Sequence, residues 1–138
     1  MKALSLWQPY ATLSIIGAKH YETRGWATNF RGELAIHAAK KPVKSVLRML
    51  PQDVVGIILD RLRGRSPDDL PVGAVIGTVK IVDCIEITEE FVSALPAYEL
   101  ACGDFSIGRY AWKMEDPRAF IHPATATGHQ GLWNWRPE

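Results

Sequence analysis

The stretch Val72-Gly73-Ala74-Val75-Ile76-Gly77-Thr78-Val79-Lys80-Ile81-Val82-Asp83-Cys84-Ile85-Glu86-Ile87 is dense in Val and Ile and is interrupted by two glycines. Branched side chains pack well on a pleated surface, and a glycine inside a strand marks a bend or bulge. The stretch therefore predicts one long strand that bends as barrel strands do. Downstream, Arg109 to Met114 alternates Tyr110, Trp112 and Met114 against Arg109, Ala111 and Lys113, the period-two pattern of a half-buried strand. Ala119 to Ile121 reads as a further strand, and Gln130 to Trp135 as a closing short strand or turn. Upstream, Gly32 to Ala38 places Leu34, Ile36 and Ala38 on one face and Glu33, Ala35 and His37 on the other. Tyr21 to Arg24 and Leu4 to Leu6 are shorter strands.

Helices fill the gaps at the front. Gln8-Pro9 opens one, with Pro9 expected at the first helical position, and Gly17 closes it. Pro42 and Pro51 each start another, with apolar spacings of three and four through Val43, Val46, Leu47 and then Val54, Ile58 and Leu62. Glu89 to Leu95 supplies one or two more helical turns. Four to six glycine-bent strands with helices near the front predict an α+β fold, a small mixed β-barrel with flanking helices. The strands and helices alternate too rarely for a doubly wound parallel sheet.

A chain of 138 residues fits one domain, read here as 1–138, that needs no staple or metal to bury a core. No apolar run approaches the roughly 20 residues of a membrane span, and polarity returns too early at Gln8 for a secretory signal. The expectation is a cytoplasmic protein without membrane contact. Cys84 and Cys102 form no Cys-x-x-Cys pair and lack histidines at ligand spacing, so two buried reduced thiols are expected and no metal. Phosphate-loop, dinucleotide, serine-elbow and zinc-helix signatures are missing, so neither a nucleotide cofactor nor any other cofactor is expected.

The net charge of +1 is too small for the whole-molecule field to draw in nucleic acid, so any such binding must come from a local patch. The charge is unevenly distributed. Lys19, Arg24, Arg31, Lys40, Lys41, Lys44 and Arg48 fall in the first fifty residues against Glu22 and Glu33.

Gly17-Ala18-Lys19-His20-Tyr21-Glu22-Thr23-Arg24 concentrates charge of both signs where a helix turns into a strand. Lys19 could act as a base or nucleophile if its amine were freed, or hold a phosphate if kept charged. Glu22 is its natural counterpart, and it opposes the free amine by favouring the ammonium. Arg24 shares the strand face of Glu22 and offers a planar fork for a phosphate or a base edge. A purely structural ion network would use the same three residues. Trp7, Tyr10 and Trp26 are candidates for stacking on a base, and Gln8 for reading its edge or capping the helix. His37 could shuttle a proton or stack, and Lys40 and Lys41 could meet phosphates, although each also fits an ordinary structural or solvated role. Trp112 and Trp133 are expected in the core.

Several of these segments together resemble the ASCH domain family: Leu4-Ser5-Leu6-Trp7-Gln8-Pro9-Tyr10-Ala11, the Gly-x-Lys-x-x-Glu-x-Arg run, Arg31-Gly32, Ile36-His37-Ala38, Gly108-Arg109-Tyr110-Ala111-Trp112 and Gln130-Gly131-Leu132-Trp133. The resemblance implies a PUA-like barrel, related to RNA-binding domains, with a cleft whose mouth carries the charged run. It also implies RNA or a modified nucleoside as ligand. Some members resemble amidohydrolases that deacylate a modified cytidine, and ribonuclease activity is attributed to others. In the small deacylase members a threonine stands three residues after the motif lysine. Here that position is Glu22, and Thr23 lies beside it. The chain looks more like the longer branch with the Trp-Gln-Pro-Tyr opening. Two readings follow: a binding domain using Trp7, Gln8, Tyr10, Arg24, Trp26, His37 and Lys40, or a metal-free hydrolase with Lys19 and Glu22 as the catalytic pair. A ribonuclease built on His37 and Lys19 is a weaker third.

Overall fold

Val/Ile density and glycine placement produce one uninterrupted strand, β4 (Ala74–Glu86), in the computed structural model, which describes residues 1–137. It pairs antiparallel on one side with β3 (Gly32–Ala38) and on the other with β5 (Tyr110–Thr125). β5 pairs onward with β2 (Tyr21–Arg24), while β3 pairs in parallel with β1 (Lys2–Leu6), which takes β6 (Leu132–Asn134) on its outer side. The resulting order, β2-β5-β4-β3-β1-β6, is a single curled sheet. Bulges along β4 and β5 impose the curl. At Gly77 a Cβ would sit 2.3 Å from the Arg118 carbonyl oxygen, so only glycine lets the two strands approach this closely.

The sheet curls around α1 (Tyr10–Ile15). Ala11 and Ile15, four residues apart, pack with Leu4, Leu6, Leu34, Ile36 and Trp112 in the main core, while Leu13 looks away. Leu13 joins Val43, Ile58 and Leu62 from α2 (Val43–Arg48) and α3 (Gln52–Arg61). The outer face of the sheet is also covered: Ala3, Ala35 and Val75 lie under Trp133 and Trp135. Two short helices, α4 (Glu89–Ser93) and α5 (Ala97–Leu100), lead into β5, with Thr88 capping α4 by accepting from the Phe91 N–H.

The α+β class and the strand-helix order agree with the sequence reading, including both helices after proline and the core positions of Trp112 and Trp133. Three features differ. α1 starts at Tyr10, with Pro9 as the residue before it, because the Gln8 side chain takes over the cap: its Oε1 accepts from the Thr12 N–H at 3.0 Å. The two strands expected at Arg109–Met114 and Ala119–Ile121 are one, β5, which passes through its bend with Asp116 at φ 50 and keeps pairing with β4 on either side. Helix α5 was not expected at all.

Candidate functional site

An open cleft of about 810 Å³ lies where the end of β1, α1, β2, the α2–α3 turn and the segment after α5 converge. The polar centre of its floor is Glu22. The two-residue and three-residue spacings of the Gly17–Arg24 run bring both cations onto this carboxylate. Lys19 Nζ donates to Oε1 at 2.7 Å and Arg24 Nε to Oε2 at 2.8 Å. Burial would by itself raise the Glu22 pKa. Lys19 and Arg24 outweigh it by charge and hydrogen bonding, and they hold the carboxyl below its ordinary range. Glu22 therefore stays ionised, and each carboxylate oxygen retains a lone pair for a further donor.

Lys19 lies behind the carboxylate, with its side chain only 1% exposed, so the cleft meets Glu22 and not the ammonium. Arg24 also donates from Nη2 to the Ser5 carbonyl at 3.0 Å, tying edge strand β2 to β1 across the open side of the curled sheet. It lies 5.5 Å over the ring of Trp26, which packs edge-on against Trp112 and is 47% exposed. Trp7, at 43% exposure, lines the cleft as well and carries Lys41 Nζ 4.6 Å above its ring. Tyr10 completes the wall; burial, then the nearby Cys102 and Glu22, raise its pKa and keep it a neutral phenol.

Trp7, Tyr10, Glu22, Arg24 and Trp26 are thus gathered at the cleft. The other three binding candidates lie elsewhere. Gln8 is fully buried, and its amide is committed to Thr12 and the Pro71 carbonyl. His37 sits on the opposite face of β3, beneath Trp133, with Nε2 2.8 Å from the Ala126 carbonyl and Nδ1 3.0 Å from Ser5 Oγ. Gly128 closes over it, with room for no Cβ. Lys40 is exposed, and its stem lies along Gly73. Period-two parity had already put His37 away from Leu34 and Ile36; the cleft opens on the Leu6 side.

Residues that sequence reasoning missed complete the site from the far end of the chain. Glu99 of α5 is 1% exposed and accepts from the backbone N–H groups of His20 and Tyr21 and lies 2.8 Å from His20 Nδ1. It pins the start of β2. Thr23 Oγ1 accepts from the Asp104 N–H, and Arg109 Nε donates to the Asp104 carbonyl, which anchors the cleft's outer wall. Asp104 itself is held below the ordinary carboxylate range, first by its bond from the Ser106 hydroxyl. Cys84 and Cys102 are both free thiols; Cys102 is buried as expected, whereas Cys84 is only partly so. Among the described residues no group of three or more potential ligands could hold a metal ion, and no helix is long and apolar enough to cross a membrane.

A sheet curled around one helix, with its open side bridged by Arg24 and a charged floor beside it, defines an α+β domain of the PUA-like class. The chain belongs to the ASCH domain family, whose model matches residues 4–124. Among curated proteins it is similar to Activating signal cointegrator 1 of Mus musculus, with 38% identity over 135 residues covering 94% of this chain and 21% of that protein. The Homo sapiens protein of the same name is 40% identical over 88 residues, covering 59% of this chain and 14% of its own length. The chain therefore spans about a fifth or less of the length of these relatives. The solved structure of ASCH from Zymomonas mobilis superposes with a TM-score of 0.57 at 15% identity, covering 98% of this chain and 87% of that one, a likeness of fold alone.

Proposed function

We infer that the cleft binds a nucleobase, presented by RNA or by a modified nucleoside. The observation that carries this reading is the pairing of an ionised carboxylate on the floor with two half-exposed indoles on the walls. A base offers a flat face to Trp7 or Trp26, and an amino or imino N–H edge to the lone pairs Glu22 has left. Lys19 and Arg24 keep that acceptor charged, and Arg24 fixes where it points. Stacking on one such ring contributes about 1–3 kcal/mol, so Trp26→Ala is expected to weaken binding by roughly 5- to 150-fold. Titration with short single-stranded RNA and with acetylated cytidine, followed by tryptophan fluorescence, tests this. Affinities for both ligands left unchanged in Trp7→Ala and Trp26→Ala would end the reading.

The alternative is a metal-free amidohydrolase acting on the same ligand class, with Lys19 and Glu22 as the working pair. Its support is their 2.7 Å contact at the cleft floor. Against it, a free Lys19 amine would require breaking a buried ion pair, and a carboxyl held below its ordinary range is a weak base. Product release from acetylated cytidine that disappears in Lys19→Ala, in a variant that still binds, would favour the enzyme. The ribonuclease reading on His37 and Lys19 is not supported by the separation of His37 onto the other face of the sheet.

A further inference from the structure

Beside the main cleft, a second groove of about 420 Å³ runs over the junction of α2 and α3. Leu50 belongs to both, so the two cavities adjoin along the α2–α3 turn. Lys44 and Arg48 line this groove, four residues apart and hence on one face of α2, with Gln52 opposite. Lys41, two residues before the same helix, stands over Trp7 at the cleft wall. Of these cations only Lys44 has a carboxylate within ion-pair distance among the described residues, the exposed Asp68 at 3.7 Å. Among the described residues, no charged residue apart from Lys44 and Arg48 lines the groove. A row of cations that begins on a stacking tryptophan and continues into an adjoining trough does not suit a free nucleoside, which has no charge to meet it.

We propose that the ligand is a single-stranded nucleic acid whose sugar-phosphate backbone follows α2, with phosphates on Lys41, Lys44 and Arg48, while one base enters the cleft at Glu22. The inference rests on the nucleobase reading of the cleft and extends it to a polymer with a defined path. Lys44 and Arg48 supply charge, and the cleft supplies contact with the base. A single strand suits this division better than duplex, because a paired base must first be unpaired and unstacked, at a cost of about a few kcal/mol, to reach Glu22.

The test uses a single-stranded RNA of about ten nucleotides, a length suited to one small domain. Its affinity is measured across a range of salt for the wild type, for Lys44→Gln/Arg48→Gln and for Lys80→Gln, an exposed cation outside both cavities. Fluorescence quenching at saturation, assigned with Trp26→Phe and Trp7→Phe, reports whether a base is seated. In the double variant the affinity at low salt is expected to fall about tenfold, with the log-log salt slope shallower by about 0.7 for each cation removed. Quenching at saturation should persist, and Lys80→Gln should match the wild type. Unchanged affinity and slope in the double variant, with quenching intact, would overturn the path along α2 and leave the cleft standing. A polyglutamate of similar charge that bound as tightly as the RNA would overturn it too, by showing a generic polyanion surface. Absence of quenching from Trp7 and Trp26 in the saturated wild type would instead refute the cleft reading itself.

Discussion

Glu22 on β2 and Glu99 on α5 are both buried carboxylates that fix the β2 segment, yet they are held in different ways: Glu22 by the side-chain cations Lys19 and Arg24, Glu99 by the backbone amides of His20 and Tyr21 together with the His20 ring. Backbone donors have fixed positions, and the Glu99 oxygens are turned onto them, so Glu99 is fully engaged and acts as a staple. Glu22 borders a cavity, and its partners are side chains that a ligand can rearrange around. Burial therefore does not distinguish a site from a scaffold here. What does is whether the carboxylate still faces space that something else can occupy.

Removing the staple should have the largest effect. Glu99→Ala leaves two partly buried amides, those of His20 and Tyr21, without an acceptor, and it is expected to cost about 3–5 kcal/mol in urea denaturation. Glu99→Gln keeps one acceptor oxygen and should cost noticeably less. A loss below about 1 kcal/mol in the alanine variant would mean that water replaces the carboxylate easily and that Glu99 is not a staple. Lys19→Met comes next. Arg24 still compensates Glu22, so we expect about 2–3 kcal/mol, and the loss should largely vanish when Glu22→Gln is added. Additive losses in that double-mutant cycle would show that Lys19 stabilises the fold by packing alone.

The acid limb of stability offers a smaller contrast. The folded Glu22 carboxyl titrates below its ordinary value of 4.5, so its contribution is fully present above that value and is lost as the pH falls through the lower folded value. Glu22→Gln should therefore be less stable than the wild type at neutral pH, and the gap should narrow as the solution is acidified below about pH 4.5. A gap independent of pH would place the effect of the substitution in packing.

How far these two carboxylates could be read from the sequence differs for a physical reason. Lys19, Glu22 and Arg24 lie within six residues of one another, and the geometry of a turn entering a strand makes them meet. Glu99 finds its amides 78 and 79 residues away in the chain, a contact set only by how α5 packs, and no local pattern announces it. The same division holds for the fold. Proline, glycine and period-two alternation marked β1 to β4 and α1 to α4, whereas β5 read as two strands, Arg109 to Met114 and Ala119 to Ile121, because its continuity depends on β4 alongside. Parity placed His37 on the far face of β3, but the identity of its covering neighbours, Ala126, Gly128 and Trp133, came from the opposite end of the chain.

Cys102 offers the finest test, because it feels both clusters at once. It is fully buried between them, donates from Sγ to the Tyr98 carbonyl, and has its thiol pKa pushed up to about 11, first by burial. The negative charge of Glu99 adds to that rise, and the positive charges of Lys19 and Arg61 oppose it. The two carboxylate clusters thus act on one thiol with opposite signs. Titrating Cys102 through the carbon NMR shift of its Cβ should give a lower pKa in Glu99→Gln than in the wild type and a higher one in Lys19→Met. If both variants moved it the same way, local loosening and not charge would be responsible. Opposite movements in proteins that remain folded would show that the staple keeps its negative charge in the native state, while the positive charge of Lys19 reaches past Glu22 to the cleft wall.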